Sequence, residues 1–228
     1  MNILKRYSTL EKQKDIFGDK STYMQQLFKN AQKDYLKLTP MGLRYLLCRI
    51  LGKKFSFGDM ENVMISIDPA QGRLLYNLIL SLKPSVVFEY GLSHGISSIY
   101  MAQALKSNMQ GKVFSAEISK TKIDTAKKNI EQMALCEYIN ILEGDVLQSI
   151  EKIEDKIEFV VMDGFPDINL QVINKLEGKL ADNAIIITDD VSIFKKEMDD
   201  YLEYMLNGSI FSSVYINISS GMVYSVKC

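Results

Sequence analysis

Residues 86–98 read Val-Val-Phe-Glu-Tyr-Gly-Leu-Ser-His-Gly-Ile-Ser-Ser, "VVFEYGLSHGISS". An apolar run stops at Glu89, two glycines (Gly91 and Gly95) bracket three residues, and a helix-like stretch begins. Strand, tight turn and helix in this order place a ligand at the carboxyl end of a parallel sheet. Without a Cβ, Gly91 and Gly95 are read as letting ligand atoms approach the backbone, and the amides opening the next helix carry partial positive charge. The spacing is G-x-x-x-G rather than G-x-G-x-x-G. A carboxylate just before the turn would repel a pyrophosphate and favour a cation or an amino group.

The rest of the chain repeats that rhythm. Short runs of β-branched and aromatic residues fall at 85–90, 112–118, 138–142, 157–163 and 184–188, apolar on consecutive positions as in strands buried on both faces. Helical spacing separates them. Ser119 is placed to cap a helix over 119–134 with Ile123, Ala126, Ile130 and Met133 on one face, and Pro166 suits the first turn of 166–179. Phe194, Met198, Tyr201 and Met205 predict a helix over 192–206. Asp68, Pro69 and Gln71 form a capping-box-like start to 69–82. Residues 209–216 and 222–227 are separated by too short a link for a crossover helix, so they form an antiparallel hairpin. The fold class is α/β: a doubly wound, mostly parallel seven-stranded sheet ending in an antiparallel hairpin, with a helical N-terminal extension.

Composition bounds the setting. The 228 residues are 47% apolar, enough for one α/β domain. Cys48, Cys136 and Cys228 are far apart and form no CxxC, which fits a reducing compartment rather than a disulfide scaffold or a zinc ribbon. The opening Met-Asn-Ile-Leu-Lys-Arg lacks the apolar core of a signal peptide, and no run reaches the ~18 apolar residues of a membrane span. A cytoplasmic protein is expected. Residues 1–54 hold 12 Lys/Arg against 4 Asp/Glu, and the remainder 15 against 24, so a basic segment precedes an acidic body.

Carboxylates end the apolar runs. Glu117 stands 22 residues after Gly95, where an acid commonly grips a ribose diol. Gly144-Asp145 follows the third run, where an adenine edge would lie. Asp163 ends the fourth, and Asp189-Asp190 end the fifth. Adjacent parallel strands lie ~4.8 Å apart, so Asp163, Asp189 and Asp190 can converge on one Mg²⁺-like divalent cation. The bland alternatives are that the glycines serve packing, that Asp190 caps the helix near Ser192, and that the other acids end strands.

A ligand with a cationic centre, an amino acid moiety, a ribose and an adenine is S-adenosylmethionine. Glu89-Tyr-Gly91-Leu-Ser93-His94-Gly95-Ile-Ser97, Glu117, Gly144-Asp145, Asp163 and Asp189-Asp190, in that order, resemble the class I methyltransferases. Within them the chain is similar to the metal-dependent O-methyltransferases of the catechol and caffeoyl-coenzyme A type, over roughly residues 62–228. The resemblance implies a cofactor set of Ser66, Glu89, Gly91, Ser93, His94, Gly95, Ser97, Glu117, Asp145 and Asp163, and a metal set of Asp163, Asp189 and Asp190. It implies S-adenosylmethionine- and divalent-metal-dependent methylation of a hydroxyl on a small phenolic, sugar or natural-product molecule. The family's third metal position is typically asparagine, and here it is Asp190. Its lysine three residues after the first metal aspartate is here Pro166; Asp167 is the nearest replacement base, beside Asp163 as the other catalytic carboxylate, unless a metal-bound alkoxide needs none.

Residues 1–60 are read as a helical extension that lids the substrate pocket, and 61–228 as the cofactor-binding domain. Helices are expected at 21–37 and 40–51, the second with Leu43, Leu46, Leu47, Ile50 and Leu51 on one face, buried against the chain itself or in a homodimer. Two other readings stand beside this one. The basic segment suits methylation of a tRNA hydroxyl, although the body lacks a basic–aromatic strip. The missing lysine suits a non-catalytic module that kept the cofactor pocket.

Overall fold

The structure is a computed structural model that describes residues 15–35, 43, 47, 51 and 66–228. The apolar runs become strands β1 (Val86–Tyr90), β2 (Lys112–Glu117), β3 (Ile139–Glu143), β4 (Ile157–Met162) and β5 (Leu180–Thr188), followed by β6 (Phe211–Ile216) and β7 (Met222–Lys227). They form one sheet in the order β3-β2-β1-β4-β5-β7-β6. The first five strands are parallel; β7 pairs antiparallel with both β5 and β6.

The helices are α1 (Ser21–Tyr35), α2 (Pro69–Leu82), α3 (Ile96–Asn108), α4 (Lys120–Gln132), α5 (Val146–Ser149), α6 (Asn169–Glu177) and α7 (Asp199–Asn207). Alternate strand residues feed two cores. Val87, Val113, Phe159, Val161, Ile185 and Ile187 share one with α1, α2, α3 and α4. Val86, Phe88, Val160, Met162 and Ile186 share the other with α6 and α7. Both faces of the central strands are therefore dry, which is why their sequences are apolar without alternation.

Local chemistry fixes the helix starts. Asp68 Oδ1 accepts from the amides of Ala70 and Gln71, and the Asp68 amide donates to Gln71 Oε1, so α2 opens on the expected capping box. Ser119 Oγ accepts from the Lys122 amide at the start of α4. Gly72 lies against the Tyr100 ring, where an added Cβ would sit 2.5 Å from it. Tyr100 also meets Phe17 edge-on at 5.0 Å and Phe28 at 6.3 Å, docking α1 against α2 and α3.

Two expectations change. β5 starts at Leu180 rather than 184, with a register shift against β4 that spans Asp182 and Asn183, the latter at φ +60. The expected 192–206 helix begins only at Asp199. The amides of Val191 and Ser192 donate to the carbonyls of Gly221 and Ser220 in the β6–β7 link, so this segment is held to the hairpin instead of winding into a helix. Most of the expected 40–51 helix lies outside the described residues. Leu43, Leu47 and Leu51, which are described, are 60%, 49% and 65% exposed in the single chain. No helix among the described residues is long and apolar enough to cross a membrane.

Candidate active site

The chain runs β1 to β2 to β3 in one direction across the sheet and then β4 to β5 in the other, so the connections diverge between β1 and β4. In open α/β sheets ligands lodge outside the carboxyl ends at such a point. Backbone hydrogen bonds extend the strand ends there. The amides of Gly91 and Leu92 donate to the Ala116 carbonyl, the Asp163 amide to Tyr90, and the Asp189 amide to Met162. Gly91, Asp163 and Asp189 therefore stand side by side above the sheet.

A cavity of about 220 Å³ opens over these ends. Glu117, Ile118, Gly144, Asp145 and Val146 line one end, and Tyr90, Asp163, Phe165, Ile168, Asp190 and Phe194 the other. A small recess beside it is lined by Ser66, Gly91, Ser93, His94, Ser97 and Asp163. Of the ten cofactor residues expected from the sequence, eight thus line one or both spaces.

Gly95 and Glu89 line neither. Gly95, at φ +84, rests against α4, where an added Cβ would lie 3.4 Å from the Cβ of Ala126. Gly91, at φ +107, faces protein as well: an added Cβ would lie 2.4 Å from the carbonyl oxygen of Asp163. These two glycines let strand, turn and helix approach one another rather than opening the backbone to a ligand. Glu89 is fully buried behind the turn. Its Oε2 accepts from the hydroxyls of Ser98 and Ser115, and its Oε1 has no partner. Burial pushes its carboxyl above the ordinary range, against the lowering effect of the serines.

Glu117 is organised by backbone. Its Oε2 accepts from the Ser93 amide at 2.9 Å, and its Oε1 from the amides of Ile118 (3.0 Å) and Ser119 (2.9 Å). Each carboxylate oxygen can accept more than one hydrogen bond, so the group is fixed toward the cavity with acceptor capacity left for a diol. Asp145 caps α5 through the Leu147 amide at 2.8 Å and also lines the cavity. Gly144, at φ +113, has open space where its Cβ would be.

At the other end three aspartates lie close enough for their charges to act on one another, but only two line the cavity. Asp163 and Asp190 line the cavity; Asp189 does not. Asp189 is buried, and its Oδ1 accepts from Gln71 Nε2 at 2.6 Å, Ser220 Oγ at 3.0 Å and the Asp190 amide at 2.7 Å. Among the described residues, no group of three or more His, Cys, Asp or Glu is placed to hold a metal ion. The three-aspartate cation centre expected from the sequence does not fit the donors as arranged. Asp167, the second catalytic carboxylate expected, is exposed and lines neither space.

Burial, then the charges of Asp189, Asp190 and Glu89, hold the Asp163 carboxyl well above the usual carboxylate range, with Lys122 opposing. Once ionised, a carboxyl so raised is a stronger base than a free aspartate. His94 is held down at about 4, chiefly by burial and then by Lys122, so its ring is neutral at pH 7. Its Nδ1 lies 3.2 Å from Ser93 Oγ.

Sequence reasoning missed the apolar wall of Tyr90, Phe165, Ile168 and Phe194, and also Lys122. The Tyr90 hydroxyl donates to the Phe165 carbonyl at 3.2 Å, and its ring packs where Gly164 has no Cβ. Lys122 had a signal: it stands three residues after the N-cap Ser119, on the helix that follows the Glu117 strand.

Residues 88–191 match the family described as a methyltransferase domain. A catechol O-methyltransferase of Niastella koreensis is 28% identical over 107 residues, 47% of this chain and 48% of that protein. The chain thus spans about half the length of that curated relative. Among solved structures, the O-methyltransferase of Bacillus cereus, in complex with S-adenosylhomocysteine, superposes with a TM-score of 0.65 at 22% identity, over 72% of this chain and 83% of that one. The O-methyltransferase TomG of Streptomyces achromogenes, involved in tomaymycin synthesis and solved with S-adenosylmethionine, gives 0.70 at 15% identity over 100% and 99%.

Proposed function

We propose, for a chain whose residues 88–191 match a family described as a methyltransferase domain and whose fold resembles that of solved O-methyltransferases, that it is an S-adenosylmethionine-dependent O-methyltransferase acting on a hydroxyl of a small molecule. One observation carries the reading. A fixed acidic group for a diol (Glu117), an adenine-sized end (Ile118 to Val146) and a recess lined by Ser66, Ser97 and Asp163 lie in one line across the strand ends.

The residues fit the cofactor. Ser66 Oγ is buried with no hydrogen-bond partner among the described residues, at a recess that would take the amino acid moiety. The carboxylates of Asp163 and Asp190 suit a cationic centre. When bound, S-adenosylmethionine supplies an electrophilic methyl group. Glu117 would orient the ribose, and Asp145 the adenine. Asp163, raised by burial and neighbouring carboxylates, would take the proton of the acceptor hydroxyl as its oxygen bonds to the methyl carbon and the carbon–sulfur bond breaks. Tyr90, Phe165, Ile168 and Phe194 would hold the acceptor's apolar surface and keep water from that proton transfer. No step is drawn through a divalent cation: Asp189 Oδ1 accepts from Gln71 and Ser220, and among the described residues no group of three carboxylates is placed to hold one. The exposed free thiols of Cys136 and Cys228 suit the reducing, cytoplasmic setting that belongs to this reading.

The test is turnover of methyl-labelled S-adenosylmethionine with a panel of phenols, sugars and polyhydroxylated metabolites, in Mg²⁺ and in chelator. Label transferred to an acceptor hydroxyl by the wild type, and lost in Asp163→Asn, is the expected result. Turnover that survives Asp163→Asn would remove the proposed base. Turnover abolished by chelator would restore a cation to the Asp163–Asp190 end.

A further inference from the structure

The N-terminal helix α1 reaches the glycine turn through one buried amide. The Tyr23 hydroxyl, on the first turn of α1, donates to Asn129 Oδ1 at 2.9 Å. Asn129 Nδ2, on α4, donates to the carbonyl of His94 at 2.9 Å. Asn129 is buried, with each end of its amide spent on a different element. His94 lies between Ser93, whose amide is held by Glu117, and Gly95, which opens α3. Beneath the turn, Gly95 rests on Ala126 and Ile130 of α4. Met24, Leu27, Phe28 and Ala31 of α1 share a core with Ile96, Ile99, Tyr100 and Ile130. A packed path therefore runs from α1 through α4 to the backbone that lines the recess, and Asn129 supplies its side-chain hydrogen bond to the turn.

We infer that Asn129 is a positioning residue for the cofactor turn, and that docking of α1 and binding of the cofactor are linked through the Tyr23–Asn129–His94 hydrogen bonds. The inference rests on the reading that this turn binds S-adenosylmethionine. The physical reason is the carbonyl of His94. Ser93 at φ +47 and Gly95 at φ +84 flank it, so the turn holds an uncommon backbone path that local sequence does not enforce. A directional donor from Asn129 fixes that path, and Tyr23 fixes which way the Asn129 amide faces. A ligand that needs the turn in this shape then favours docked α1, and docked α1 favours the ligand by the same factor.

Calorimetry with S-adenosylhomocysteine, together with amide exchange over residues 21–35, on the full chain tests the link. Asn129→Asp keeps an acceptor for Tyr23 but sets a carboxylate oxygen against the His94 carbonyl. Tyr23→Phe keeps the ring and deletes one hydrogen bond. The wild type should bind, and binding should slow exchange in α1. Asn129→Asp should weaken binding by about tenfold and Tyr23→Phe by about threefold, with the ligand-dependent protection of α1 reduced in both. A merely structural role would lower thermal stability and leave both ligand readouts at wild-type values; that result overturns the inference. Wild-type binding without protection of α1 would also overturn it. No binding by the wild type would overturn the inference together with the reading beneath it.

Discussion

Replacing Gly91 by alanine should be the most damaging single methyl that can be added to the strand-end turn, and three glycines make the comparison quantitative. Gly91, Gly95 and Gly144 have φ of +107, +84 and +113, all beyond the left-handed region that an L-residue tolerates. Alanine at Gly144 meets nothing within 4 Å, so its cost is backbone strain alone, about 1–2 kcal/mol. At Gly95 the new Cβ comes to 3.4 Å from Ala126, ordinary contact that adds little. At Gly91 it falls 2.4 Å from the Asp163 oxygen, 2.7 Å from its carbonyl carbon and 3.0 Å from the Gly164 nitrogen. Those atoms are backbone and have no rotamer to yield, so a packing cost of about 1–3 kcal/mol is added to the strain. The total is about 2–5 kcal/mol, and relief requires β1 and β4 to part at the cavity. Urea denaturation of the three variants should give Gly91→Ala the lowest midpoint. Calorimetry should show its affinity for S-adenosylhomocysteine falling furthest. A Gly91→Ala variant no less stable than Gly144→Ala would refute the argument that this glycine exists for the Asp163 contact.

Other consequences follow from the carboxylates. Glu117→Ala removes the acceptor for three backbone amides as well as the group aimed at the diol, and should weaken S-adenosylhomocysteine binding by at least about tenfold in calorimetry; an affinity within twofold (about 0.4 kcal/mol) would contradict its role. Asp189→Asn keeps an acceptor oxygen for Gln71, Ser220 and the Asp190 amide and should cost no more than about 1 kcal/mol of stability, whereas Asp189→Ala strands buried donors and should cost about 2–4 kcal/mol by denaturant titration. Equal losses, or Mg²⁺ that stabilises the wild type but not Asp189→Asn, would make Asp189 a cation ligand instead. The Asp163 pKa is raised in the fold, so its contribution to stability is full below the unfolded value of about 4 and is lost as pH rises through the folded value. Asp163→Asn should therefore gain thermal stability relative to wild type at pH 8 and not at pH 4, a difference that calorimetric melting at the two pH values reads directly.

The sheet was legible where burial on both faces leaves no choice of residue. Val86–Tyr90 and Ile157–Met162 are apolar except for Glu89 and Glu158, because each face meets its own helices. The start of β5 was not legible, because Asp182 and Asn183 (φ +60) break the apolar run, and Leu180 joins the strand only through its pairing with Ile157 across a register shift. The segment 192–198 has helical spacing, yet its first amides are claimed by Ser220 and Gly221, residues that no local pattern connects to it. The site divides in the same way. Glu117 could be placed from its strand end and its distance from the turn. Asp189 could be placed at a strand end as well, but the direction of its carboxylate is set by Gln71, 118 residues earlier. Asp167 stands close to Asp163 in sequence, yet the Pro166–Ile168 turn leaves it in solvent. The reason for the glycines also needed the structure. The sequence shows that a Cβ is missing, and only packing shows that Gly91 yields its space to Asp163 and Gly95 to α4.

The central claim is that the strand-end cavity and its recess form an S-adenosylmethionine site, and titration of the wild-type chain with S-adenosylhomocysteine in a calorimeter tests it most directly. The account predicts a single site per chain with a dissociation constant on the order of micromolar, competed by S-adenosylmethionine and weakened by Glu117→Ala. Absence of heat and of competition up to roughly millimolar ligand, with the chain folded, would contradict it.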